Sequence, residues 1–225
     1  MFGSRGCKSL FLFLVAAMVL FASPTCSDTK DHVGSSDVPI ELLELGQRGE
    51  LIARAREQTL EILEGQNSCS AWFQESDADA ADIFRSLHFT LTTSGQSQVS
   101  VMRDDLGFLV YRHPWAAKVA PFAGRNALIF INANGPFFLR DSPVDDTVWE
   151  VVRISRRRLT VGIYDGDTDK ARMTILLHEL GHVIGRIPKD DDPWSGQSGR
   201  NTEEVLRHCK KEIASEAKRT SPFSN

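Results

Sequence analysis

His178 and His182 stand four residues apart, and Glu179 directly follows the first of them. On a helix, residues four apart project from one face. That spacing lets two imidazole nitrogens reach a single zinc ion at about 2.0–2.1 Å. Glu179, one position on, is placed beside a metal-activated water, where its carboxylate can take the water's proton and return it to a leaving amine. Zinc in such a place lowers the pKa of water to about 7 and polarises the carbonyl under attack. The bland alternative is an amphipathic helix carrying two hydrogen-bonded histidines. Chance produces His, Glu and His at these offsets in about one chain in a hundred of this length and composition. A buried glutamate between two histidines is also costly without a cation.

The elements that must hold these side chains follow from the pattern around them. Residues 168–184 read as a helix, with Thr168 or Asp169 as cap and Gly185 as its stop. Upstream, the β-branched and aromatic runs 88–92, 99–101, 107–111, 127–132 and 159–164 read as strands. Earlier still, the apolar positions between Ile40 and Leu63 read as a helix weakened by Gly46 and Gly49, with a second, short helix over 77–87. A last helix is expected over 202–217, capped by Asn201 or Thr202. The fold class expected is α/β in the α+β sense, a mixed sheet packed against the His178–His182 helix with N-terminal and C-terminal helices around it. The run from Ala127 to Phe138 can supply an edge strand that pairs with an extended substrate, or plain core. Tyr164 and Tyr111 are possible oxyanion donors, although phenols packed at a sheet end fit as well.

The stretch Leu176-Leu177-His178-Glu179-Leu180-Gly181-His182-Val183-Ile184-Gly185 resembles the active-site helix of the zincin metallopeptidases, and its start resembles the metzincin signature. The resemblance covers ten to twenty residues. It implies a mixed sheet on helices, a cleft along an edge strand, zinc ligands at His178 and His182, a catalytic base at Glu179, and peptide-bond hydrolysis, with endopeptidase favoured over exopeptidase. Two features depart from the metzincin pattern: its third histidine falls here on Pro188, and no methionine follows Met173. A catalytic zinc needs a third protein ligand. Candidates are the group Asp190, Asp191 and Asp192, then Glu203 or Glu204, then His208. The choice falls on Asp190, because Ile187-Pro188 forces an extended step back past the metal and Asp190 is the first suitable side chain after it. The same aspartates also suit a solvated acidic loop or a calcium-binding one.

Residues 1–26 combine Arg5 and Lys8, an apolar run and a small-residue exit, the parts of a secretory signal, with a retained anchor as the alternative. Cys26 invites lipid modification, but Ser23 stands where an aliphatic residue is usual. Residues 27–39 read as a flexible linker and 40–220 as a single metallopeptidase-like domain. The expected location is therefore secreted, periplasmic or cell-surface, with membrane attachment only through the N-terminus. Two cysteines in an exported domain, Cys69 and Cys209, favour a disulfide. Without Arg5 and Lys8, 24 basic residues face 30 acidic ones, which is not a nucleic-acid-binding profile. Arg156-Arg157-Arg158 reads as a solvated turn or strand end. The function expected is zinc-dependent hydrolysis of a peptide or protein substrate with Glu179 as general base. The alternatives are a catalytically inactive zincin-like metal-binding protein and a disulfide-stabilised interaction domain without enzymatic activity. Oligomeric state is left open.

Overall fold

A computed structural model describes residues 39–93, 98–104, 107–148, 151–190 and 195–220, which belong to one compact unit. The signal, Cys26 and the linker up to residue 38 lie outside the described residues, as do Asp191, Asp192, the Tyr111 side chain and the tail after residue 220. Among the described residues no helix is long and apolar enough to cross a membrane.

The first expected helix is two: α1 (Ile40–Leu43) and α2 (Gln47–Glu64), separated where Gly46 caps α2. On α2 the buried positions Ile52, Ala55, Thr59, Ile62 and Leu63 recur every three or four residues and form one face. Sequence periodicity overlooks α3 (Ser68–Gln74), which is too short to show a period. A capping box starts it: the Asn67 side chain accepts from Ser70 N at 2.9 Å, and Ser70 Oγ accepts from Asn67 N at 3.3 Å. α4 (Ala80–Arg85) falls inside the stretch expected for a second helix.

The fold is α+β with a small mixed sheet. β1 (His88–Thr92) is followed by a hairpin of β2 (Gln98–Asp104) and β3 (Gly107–His113), then by β4 (Ala117–Lys118) and β5 (Leu128–Asn132). β5 runs parallel to β1 and antiparallel to β4, in the order β1-β5-β4. The run from Ala127 therefore supplies the middle strand, and the edge belongs to β4. Alternation explains the placement: Ile129 and Ile131 face the core while Leu128 and Phe130 face out. A second hairpin, β6 (Asp141–Val148) with β7 (Val151–Arg158), was not legible, since Pro143 and three aspartates lower the β propensity of β6. The arginine run lies at the end of β7, where Arg158 pairs with Asp165 at 2.8 Å. The strand expected over 159–164 is in fact the hairpin β8 (Thr160–Val161) and β9 (Tyr164–Asp165). Gly162 turns it with φ 56°, and a Cβ there would lie 2.4 Å from Leu206 Cδ1.

α5 (Asp169–Val183) is buried continuously from Ala171 to Val183, as befits a helix enclosed on all sides. Thr168 caps it, accepting from Ala171 N at 3.2 Å. Buried Arg172 is satisfied by Asp167, Asp169 and the Phe137 carbonyl. α2 and α6 (Gln197–Arg219) pack on α5, and Ile129, Ile131, Leu176 and Leu180 share one core. α6 begins five residues earlier than expected, at Gln197 after its cap Gly196, so Asn201 and Thr202 lie inside the helix. Gly199 weakens that first turn. Side chains compensate, with Gln197 donating to Asn201 Oδ1 at 2.8 Å and Arg200 to the Ser195 carbonyl at 2.8 Å. Cys69 of α3 and Cys209 of α6 form a disulfide, their Cα atoms 4.5 Å apart.

Candidate metal centre

The end of α5 decides where the chain goes after the two histidines. Gly185 adopts φ 70°. The amide of Arg186 bonds the Gly181 carbonyl at 2.8 Å, and that of Gly185 bonds the His182 carbonyl at 3.2 Å. That is a Schellman motif, closed by Ile187 packing where Gly181 has no Cβ. A neighbouring loop adds two more donors, Phe122 N to His182 O at 2.9 Å and Gly124 N to Val183 O at 3.3 Å. Beyond Ile187, Pro188 and Asp190 are held by Asn201, whose Nδ2 donates to the Pro188 carbonyl at 2.8 Å and to Asp190 Oδ1 at 2.7 Å.

A Gly185→Ala change tests this turn. The left-handed backbone disfavours any side chain, and the new Cβ would sit 2.3 Å from the Phe122 ring. The variant is expected to lose about 1–2 kcal/mol of stability. Its thermal midpoint measures this, and an unchanged midpoint would show that Gly185 does not govern the turn.

The result of this path is a convergence of three donors. His178 Nε2 lies 3.0 Å from His182 Nε2 and 3.2 Å from Asp190 Oδ2, while His182 Nε2 lies 3.4 Å from Asp190 Oδ1. Both imidazoles are buried and the Asp190 carboxylate is partly open. Burial holds the His178 ring below the usual imidazole range, against the pull of Asp190. Burial also opposes ionisation of Asp190, but the neighbouring imidazoles of His178 and His182 and a hydrogen bond from Ser198 prevail and hold it well below the usual carboxylate range. Burial pushes the Glu179 carboxyl up to about 8; Asp190 adds to the rise and Lys118 opposes it. Among the described residues, Glu179 Oε2 is buried without a hydrogen-bond partner.

This donor set fits zinc. Bonds of about 2.0–2.1 Å at tetrahedral angles separate ligand atoms by roughly 3.3 Å; His178 Nε2 lies 3.0 Å from His182 Nε2 and 3.2 Å from Asp190 Oδ2, and one ligand atom from each of the three residues lies within 4.8 Å of the others. Two imidazoles and one carboxylate also match the three-ligand sets that leave a position open for chemistry. Among the described residues no other cluster of His, Cys, Asp and Glu meets this test.

The donors and Glu179 lie in the wall of a cavity of about 700 Å³. Trp115 and Lys118 of the β4 segment line one part, and Pro136, Val161 and Ile175 another. Glu203 lines the cavity but does not join the donors. Glu204 and His208 are engaged elsewhere: His208 stacks on Trp72 at 4.7 Å and faces Glu204 at 3.3 Å. The Tyr164 hydroxyl donates to the Lys210 carbonyl at 3.4 Å and is not part of the cavity wall. Sequence reasoning missed the β4 segment, because two residues are too few to show alternation. It also read Asn201 and Thr202 as caps. Their signal is that they continue, in polar residues, the stripe Val205, Cys209 and Ile213 that α6 buries. No family model, curated protein or solved structure matches this chain, so its chemistry is read from its own residues.

Proposed function

We propose that this protein is a zinc-dependent peptidase, with an exported site of action. The observation that carries the reading is the convergence of His178, His182 and Asp190 at zinc-ligand spacing in a cavity wall, beside a buried glutamate with one oxygen unpartnered. His178, His182 and Asp190 would hold the ion. Zinc supplies Lewis acidity there, lowering the pKa of water and polarising a carbonyl. Glu179 in its ionised form, which a bound cation beside it would favour, accepts a proton from the attacking water and delivers it to the leaving amine. β4, the end strand of its sheet among the described residues, lines the cavity and offers backbone groups to an extended peptide.

The test is a mixture of peptides incubated with the purified chain, with and without a zinc chelator. Cleavage is expected, is lost with chelator and returns when zinc is restored. A chain that binds zinc but leaves every peptide intact would point to the inactive metal-binding alternative. A chain that binds no zinc would overturn the metal centre itself.

A further inference from the structure

We infer that Thr202 and Asn201, in the second turn of α6, are positioning residues that preset two of the three donors and thereby raise zinc affinity; this rests on the reading of His178, His182 and Asp190 as ligands. Thr202 Oγ1 lies 3.0 Å from the Ser198 carbonyl and 3.1 Å from His178 Nδ1. A carbonyl only accepts, so the hydroxyl proton points to Ser198 and the oxygen's lone pair receives the proton on His178 Nδ1. The His178 tautomer is thereby set, and its Nε2 lone pair is left facing His182 and Asp190. Among the described residues His182 has no such partner: its Nδ1 is buried without a hydrogen bond. The orienting of imidazole on this site therefore falls to Thr202.

Asn201 does the same for the carboxylate. Both atoms that its Nδ2 faces, Pro188 O and Asp190 Oδ1, are acceptors, so the amide orientation is fixed by its neighbours. Its Oδ1 in turn accepts from Gln197. One Asp190 oxygen is thus tied back to α6, leaving Oδ2 turned to His178 Nε2. Asn201 is 2% exposed and Thr202 9%, so water does not compete freely for these bonds. Polar side chains at such depth on an otherwise apolar stripe need these partners.

The experiment measures zinc affinity by chelator competition on the purified full chain, with the cobalt-substituted spectrum as a second readout. Thr202→Val keeps the side-chain shape and removes the acceptor; it is expected to weaken zinc binding by about 10- to 100-fold and to alter the cobalt spectrum. Thr202→Ser restores the oxygen and is expected to bind within about 3-fold of the wild type, since the hydrogen bond and not the methyl is at issue. Asn201→Ala is expected to weaken binding over the same range as Thr202→Val. Wild-type affinity in both Thr202→Val and Asn201→Ala would overturn the inference while leaving the metal centre standing. A loss in Thr202→Val that Thr202→Ser fails to reverse would assign the effect to packing, and equally overturn it. Absence of zinc binding in the wild type would instead remove the reading on which it rests.

Discussion

Glu179→Ala is expected to reduce peptide hydrolysis by at least about 10²- to 10⁴-fold, the usual contribution of a positioned acid–base group, while the chain retains one zinc. Both halves of the result follow from geometry. His178, His182 and Asp190 form the donor cluster without Glu179, so its removal takes away no ligand. Its carboxylate is nevertheless held in the same wall, buried and with Oε2 unpartnered, where a proton can be taken and passed on. Hydrolysis is measured on whichever peptide the wild type cleaves, and metal by direct assay. Undiminished cleavage would deny Glu179 the role of base. Loss of zinc together with activity would make it a ligand, contrary to the arrangement described.

Replacing both Cys69 and Cys209 by serine is expected to lower stability by about 5 kcal/mol. The bridge spans 140 residues of sequence, and closing a loop of that length removes roughly 17 cal/mol/K from the unfolded chain in the chain-entropy model. Such a loss is comparable with the whole stability of many domains. Its structural consequence is local as well, because α3 and α6 are pinned at this bridge and α6 carries Asn201 and Thr202 into the site. Urea unfolding of the oxidised chain, the reduced chain and the double variant measures the difference. Equal midpoints for all three would show that the bridge adds nothing beyond the packing already around it.

The two results read different parts of the molecule with different visibility in the sequence. The α5 helix was legible from end to end, since its cap at Thr168 and its stop at Gly185 act within one or two turns. The pairing of His178 with His182 on one face was legible for the same reason. Asp190 was reached by following the chain past Pro188, and the structure brings its carboxylate to both histidines. In contrast, the choice between edge strand and core for the run from Ala127 was open in the sequence, because the strand that covers β5, β4, is two residues long and pairs only through tertiary placement. The hairpin at Gly162 was read as one strand because a single glycine inside an apolar run does not by itself announce a turn, and the close approach of Leu206 that leaves no room for a Cβ there comes from a distant part of the chain.

What the sequence by itself determined, then, is whatever the backbone settles over a few residues: the central helix, its ends, the shared face of its two histidines and the place of Glu179 between them. The pairing of Cys69 with Cys209 belongs here only as chemistry, two thiols in a chain read as exported; their meeting at 4.5 Å depended on how α3 packs against α6. Tertiary structure alone decided that β4 lies at the end of the sheet, that α6 starts at Gln197, and that Asn201 and Thr202 face Asp190 and His178. Hydrogen-bonded turns and caps are local and repeat with a known period. Contacts across the core depend on which buried faces meet, and that is fixed only when all of them are packed together.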